Sequence, residues 1–353
     1  MDQLRAAAVN QTLFAPTTLR AAIRRLGFVQ ADPIRAPARA QDLILRHRVK
    51  NYVAGDLERK YATLRIDENL LYAYGFLPSE NLALLRPKAS GELSAFEENV
   101  LAVVREHGPL HPSDLHTWFG RDRVINAWGG YSKATKRTLE QLHERGLLRI
   151  ARRDAGIRVY ESVDPAAAAS RLTDDERMRG AIRLVAGILS PVPERTLSAI
   201  AARLARPFAE PAAHRSIMRQ MVSRGELVQR AIDGMTYLWL PGRRSYAESR
   251  IVRLLAPFDP VVWDRRRFAH IWGWEYRFEA YTPVAKRLRG YYALPLLWGS
   301  RVIGWANVRL ADNDVDMELG FAGTKPRDPE FKRELAHEIE RLREMLTGAS
   351  RST

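Results

Sequence analysis

The sequence predicts an α+β fold, and three observations carry that expectation. A unit of helix, glycine and two-stranded hairpin occurs twice, around Gly146 and again around Gly225. Past about Tyr246 the texture changes to short alternating strands. The chain then closes on an amphipathic segment that opens with Asp328-Pro329. Helix, glycine and hairpin together are the layout of a winged-helix module. The expected architecture is therefore tandem winged-helix modules, then a β-rich C-terminal domain and a final helix.

Each element has a local reason. Residues 17–26 read as a helix closed by Gly27, with Phe28-Val29 starting an extended stretch, a fainter first copy of the unit. Residues 132–145 read as a helix ended by Gly146, because glycine supplies the left-handed cap. The apolar stretches 147–150 and 157–160 follow, with Asp154-Ala155-Gly156 as their turn. Residues 214–224 repeat the helix and Gly225 ends it. Residues 227–230 and 235–239 then flank Asp233-Gly234, a strong hairpin signal. Strands are expected over 276–281, 291–298, 302–310 and 315–321, with Gly299-Ser300 and Asp312-Asn313-Asp314 as turns. Asp328 is the expected N-cap and Pro329 the first residue of the last helix. Its apolar stripe is Leu335, Ile339, Leu342 and Leu346. Asp164-Pro165 and Pro241-Gly242 mark linkers, so the expected units are 1–90, 91–165, 166–244 and 245–353.

Composition narrows the function classes. The chain has 353 residues and a formal net charge of +15, with 46% hydrophobic and 27% charged residues. That balance belongs to globular proteins with a sizeable core and excludes global disorder. There is no cysteine, which removes disulfides, thiolate metal sites and thiol nucleophiles together. No apolar run reaches the roughly 18–20 residues of a membrane span. No secretory signal is visible at Met-Asp-Gln-Leu-Arg, so a cytoplasmic, nucleoid-associated address is expected. The positive surplus favours a polyanionic partner, nucleic acid above all, although arginine-rich genomic composition produces the same surplus.

The distribution of charge is more informative. On the helix over 132–145, Thr135, Leu139 and Leu142 share one side, and Lys133, Lys136 and Arg137 the other. An apolar inner face and a basic outer face suit a recognition helix. The hairpin after it adds Arg149, Arg152 and Arg153. Arg39, Arg46 and Lys50, spaced for one side of a helix, are further phosphate candidates, as are Lys286 and Arg287. His107, His111 and His116 are interrupted by Gly108-Pro109 and Pro112 and give no metal-ligand spacing.

One acidic residue stands out among these cations. In Gln30-Ala31-Asp32-Pro33, an extended backbone points the side chains of Gln30 and Asp32 the same way, and Pro33 biases Asp32 toward that backbone. An amide and a carboxylate would then meet at one point. Asp followed by Pro is equally the N-cap and first turn of a helix, so both readings of Asp32 stand open.

Gln30-Ala31-Asp32, followed by Arg39, Leu45 and Arg48-Val49, resembles the catalytic segment of the YcaQ/AlkZ family of winged-helix DNA glycosylases. A longer match is Pro257-Phe258-Asp259-Pro260-Val261-Val262-Trp263-Asp264-Arg265. It continues through Tyr276-Arg277-Phe278-Glu279 and Tyr281-Thr282-Pro283 to Lys286-Arg287 and Gly290-Tyr291-Tyr292-Ala293-Leu294-Pro295. The resemblance spans almost the whole chain. It implies a C-shaped clamp of tandem winged helices on double-stranded DNA, excision of N-alkylated purines, and reach to bulky adducts and interstrand crosslinks. The Gln-x-Asp form places the chain with the branch whose motif ends in Asp. It departs at Ala31, smaller than the usual aliphatic. It departs again at Leu70-Leu71-Tyr72-Ala73-Tyr74-Gly75-Phe76-Leu77-Pro78, which holds no acid or histidine where the family has Glu-Tyr-Trp-x-His.

The implied chemistry suits the residues. An N-alkylated purine is cationic and already activated to leave. A carboxylate such as Asp32 can stabilise the oxocarbenium-like sugar and activate water, while Gln30 holds that water. Neither metal nor organic cofactor is expected, and a monomer suffices. The rival is a non-enzymatic winged-helix regulator, which has no use for a carboxylate facing DNA.

Overall fold

The computed structural model describes residues 1–85, 92–120, 123–125, 131–164, 172–206, 213–242, 250–311 and 314–348, with 123–125 and 131–133 described in backbone only. Helix α1 (Asp2–Asn10) precedes a first unit of α2 (Leu19–Leu26), β1 (Val29–Gln30), α3 (Ala40–Leu45), α4 (Asp56–Arg59), and the hairpin β2 (Ile66–Leu70) and β3 (Tyr74–Pro78). Its sheet order is β1-β3-β2, so the short first strand pairs with the last. A single turn, α5 (Leu82–Leu85), follows.

The second unit runs α6 (Ala95–His107), α7 (His116–Phe119), the hairpin β4 (Arg123–Ile125) and β5 (Tyr131–Lys133), α8 (Ala134–Glu144), β6 (Leu148–Asp154) and β7 (Ile157–Ser162). An antiparallel bridge from Leu110 to Tyr160 takes the place of its first strand. The third runs α9 (Asp174–Ile188), β8 (Val192–Pro193), α10 (Glu194–Ala205), α11 (Ala213–Ser223), β9 (Val228–Ile232) and β10 (Met235–Trp239), again with sheet order β8-β10-β9. The C-terminal unit holds β11 (Val252–Leu254), α12 (Arg265–Trp272), β12 (Leu294–Trp298), β13 (Arg301–Ala311), β14 (Asp314–Phe321) and α13 (Pro329–Thr347). Its four strands form one antiparallel sheet in chain order.

Local capping and turn chemistry sets the ends of these elements. Ser94 with Glu97, and Thr173 with Glu176, form reciprocal capping boxes at the starts of α6 and α9. Asp328 accepts from Glu330 N–H ahead of Pro329. The β6–β7 and β9–β10 hairpins put their central pairs in the left-handed region, Ala155 and Gly156 at φ +49° and +83°, Asp233 and Gly234 at +45° and +82°. That is the type I′ geometry whose twist matches the strands.

Three expectations are corrected. The helix over 132–145 begins only at Ala134, because residues 131–133 belong to β5. Residues 276–281 form no strand. The Glu279 carboxylate there gathers the N–H groups of Leu288, Arg289 and Gly290, which ties the segment to a loop instead of a ladder. Arg39, Arg46 and Lys50 share no helix face, since α3 ends at Leu45. The chain leaves the helix there because Thr17 N–H donates to Arg48 carbonyl and Lys50 N–H to Thr17 carbonyl, both at 3.0 Å.

Three apolar clusters hold the units together. The largest runs from the first unit (Ile23, Leu43, Phe76) through the second (Leu101, Leu139) to the C-terminal unit (Leu294 of the sheet, Leu342 of α13). Another packs Phe28, Tyr72 and Leu77 of the first unit against Ile182, Leu197 and Met221 of the third. In the third cluster α1 packs with the C-terminal unit, Leu4 and Val9 against Phe268 and Ile271. The first unit is thus the hub. At its centre Gly75 faces β1 so closely that an added Cβ would lie 2.3 Å from the Val29 carbonyl oxygen and 2.5 Å from the Phe28 ring. Gly75→Ala is expected to cost about 1–3 kcal/mol, as overpacking against backbone does. Urea unfolding measures it, and a variant as stable as the wild type would show that β1 can shift.

Candidate active site

The end of β1 places Asp32. Gln30 pairs with Gly75, and Ala31 N–H still donates to the Tyr74 carbonyl at 2.9 Å. Beyond that point the ladder stops. Asp32 Oδ1 accepts from Ile34 N–H at 2.9 Å, a local turn across Pro33. No helix follows until Ala40, so Asp32 is not a helix cap. Of the two readings of Asp-Pro, the presented carboxylate is the one the backbone adopts.

Asp32 opens on a pocket of about 280 Å³ between the first and second units. Ala31, Pro33, Arg39, Gln41 and Glu58 line one side, Tyr74 and Phe76 of β3 the floor, and Arg153, Gly156 and Arg158 of the β6–β7 hairpin the other side. Gln41 braces the bend: its Oε1 accepts from Asp32 N–H at 3.4 Å and its Nε2 donates to Glu58 at 3.4 Å. Arg39 donates to Glu58. Glu68, fully buried on β2, accepts from Arg153 Nε at 2.6 Å and from the Tyr74 hydroxyl, with Arg158 at 3.4 Å. The guanidinium of Arg158 also lies 4.5 Å over the Tyr74 ring.

Each arginine of the wall therefore has a carboxylate partner, while Asp32 has no cation paired to it among the described residues. Burial pushes the Asp32 carboxyl above the ordinary aspartate range, and the Ile34 N–H only partly offsets it. A half-buried, cation-free carboxylate is suited to stabilising a developing positive charge and to accepting a proton.

The other predicted residues fall into four groups. Gln30 is absent from the pocket wall: it is buried in the sheet, and its Oε1 accepts no hydrogen bond among the described residues. Lys50, Lys136, Arg137 and Lys286 are exposed. Arg39, Arg46, Arg149, Arg152, Arg153 and Arg287 have partners. Arg46 is corrected as a phosphate contact, because it is buried against Glu338 and the Leu254 carbonyl. Arg39 and Arg153 each pair with a carboxylate, Glu58 and Glu68 respectively. Arg149 pairs with Glu161 across the hairpin, and Arg152 with Asp154 at 3.0 Å. Arg287 donates to the Thr282 carbonyl at 2.8 Å and covers the Tyr291 ring. The side chain of Lys133 lies outside the described residues.

Sequence reasoning missed two features. Tyr292 is buried, its hydroxyl has no hydrogen-bond partner among the described residues, and burial first, then the charge of Asp32, raises its pKa. Its place in Gly290-Tyr291-Tyr292-Ala293-Leu294-Pro295 was the available signal. Arg48 donates to Asp259 through Nη1 at 2.8 Å and Nη2 at 3.0 Å, both residues fully buried. The two family-like blocks thus meet in one ion pair. Among the described residues no group of three or more potential metal ligands occurs, and no helix is long and apolar enough to cross a membrane.

Comparison with known proteins agrees with this layout. The family model described as DNA glycosylase AlkZ-like matches residues 23–345. Among solved structures, the Streptomyces sahachiroi DNA glycosylase AlkZ superposes with a TM-score of 0.62 at 16% identity, over 97% of this chain and 96% of that one. That likeness concerns the fold.

Proposed function

Because the chain belongs to the AlkZ-like family of DNA glycosylases, we propose that it is a monofunctional enzyme of DNA repair that hydrolyses the N-glycosidic bond of N-alkylated purines in double-stranded DNA. The observation that carries this reading is Asp32, a carboxylate lining a pocket with no cation paired to it among the described residues. A regulator gains nothing from that arrangement, because phosphate repulsion penalises it.

In this reading the alkylated base departs as a neutral leaving group, so no general acid is required. Asp32 stabilises the positive charge that develops on the sugar and takes the proton of the attacking water. Gln30 stays in the proposal through its buried oxygen, which accepts no hydrogen bond among the described residues and lies on β1 two positions before Asp32. Arg39, Arg153 and Arg158 act by holding Glu58 and Glu68 neutralised, which keeps the wall of the pocket fixed around Asp32. Lys50, Lys136, Arg137 and Lys286 are proposed phosphate contacts, being exposed. We read the three helix-and-hairpin units as winged helices forming a clamp, with boundaries at 1–90, 91–165, 166–244 and 245–353. The proposed range extends to bulky adducts and interstrand crosslinks, acted on by a monomer at the nucleoid.

The test is an excision assay on a duplex carrying one N7-methylguanine. The expected result is release of the free base and an abasic site that breaks only on alkali treatment. Strand cleavage without alkali would overturn the monofunctional assignment, and an intact lesion would overturn the substrate class.

A further inference from the structure

The basic hairpin of the second unit is largely neutralised. Arg149 is paired with Glu161, Arg152 with Asp154, and Arg153 and Arg158 with Glu68. The third unit is different. Arg195 on α10, Arg215 and Arg219 on α11, and Arg266 on α12 are all exposed, and none has an ion pair among the described residues. All four line one groove of about 790 Å³ between α11 and the β9–β10 hairpin.

The acids nearby are already engaged by other donors. Glu194 accepts from Gln229 at 3.1 Å. Asp264 accepts from Thr196 and from the N–H groups of Arg266 and Arg267 at the start of α12. Neither forms an ion pair with the four guanidiniums, which surround a floor of Met218 and Leu238 with uncompensated positive charge. A low-polarity floor weakens screening and strengthens attraction for an anion.

We propose that this groove holds one phosphodiester strand of duplex DNA and supplies the main backbone grip of the chain. The geometry fits that ligand. A helix in the major groove and a hairpin in the adjoining minor groove leave one sugar-phosphate strand between them. Here the strand would run between the Arg215–Arg219 face of α11 and the turn at Gly234. The proposal rests on the reading of the chain as a DNA-acting enzyme, but it concerns binding and not excision.

The test is fluorescence anisotropy with a short undamaged duplex over a salt series. Each phosphate contact contributes about 0.9 to the slope of log K against log salt. Arg215→Ala with Arg219→Ala is expected to lower that slope by about 2, and affinity at 0.1 M salt by roughly 60-fold. The double lysine variant should keep most of both, since charge and not fork geometry dominates a backbone contact. Arg183→Ala, which removes a partner of Glu226 on α9, should leave the slope unchanged. An unchanged slope in the double alanine variant would overturn the proposal while leaving the excision reading intact. Loss of poly-glutamate binding with duplex binding retained would assign the groove to an acidic peptide and overturn it too. Intact binding with no excision by the wild type would instead sink the enzymatic reading alone.

Discussion

Asp32→Asn is expected to lower excision of N7-methylguanine about a hundred- to ten-thousand-fold, the range over which a positioned general base acts. Duplex affinity should stay within a factor of a few, because Asp32 touches no basic residue that binds the backbone. The fold should persist as well. Asparagine can keep the turn to Ile34 N–H through its own side-chain oxygen. Stability offers an independent check with a definite sign. Burial raises the folded pKa of Asp32 above its unfolded value, so its contribution to stability is full below the unfolded pKa and is lost as pH rises through the folded one. At neutral pH the ionised carboxylate is a burden on the fold, and Asp32→Asn should be at least as stable as the wild type. Excision should likewise fall as acid protonates Asp32, at a pH above the ordinary aspartate range. A variant that excises normally would remove Asp32 from the chemistry. One that loses both activity and stability would mark it as structural.

Much of this architecture was legible because it rests on local rules. The Asp-Gly and Ala-Gly turns, Gly27, Gly146 and Gly225 after their helices and the Asp-Pro start of α13 are short-range chemistry, and they appear in place. The failures share one cause, which is long-range pairing. Arg46 and Arg153 look like surface cations in sequence, yet their partners Glu338 and Glu68 lie 292 and 85 residues away. The strand expected over 276–281 is overruled by the Glu279 carboxylate bonding a loop about ten residues on. The departing stretch at 70–78 is clearer in three dimensions. Tyr74 and Phe76 from it line the pocket, and Glu68 just before it supplies an acid beneath them. Asp32 itself was readable only to a choice of two, because Asp-Pro serves a helix start and an exposed bend equally well.

The largest stability effect is expected at Arg48 and Asp259. Asp259→Ala should destabilise the chain by about 3–5 kcal/mol, the usual result of leaving a buried charge without its partner. The reason lies in how many segments the pair joins. Arg48 Nε donates to the Thr12 carbonyl just after α1, Nη1 also donates to the Ile44 carbonyl in α3, and the pair itself reaches Asp259 before α12. Asp259 in turn accepts from Val261 N–H at 3.0 Å. Removing the carboxylate strands two guanidinium donors at a site with no solvent, and it frees the turn at Asp259–Val261 that precedes α12. Replacing both residues with apolar side chains, Arg48→Met with Asp259→Leu, should cost less than either single change, since no lone charge is then buried. Urea unfolding of the four proteins closes a double-mutant cycle. A loss for Asp259→Ala within the ~0.5 kcal/mol of ordinary surface substitutions would show that the joint between the first and C-terminal units is held by apolar packing alone. A strong coupling would instead explain why the two sequence blocks carrying Arg48 and Asp259 occur together: each completes the other's buried charge, and Asp32 is positioned on the unit they hold.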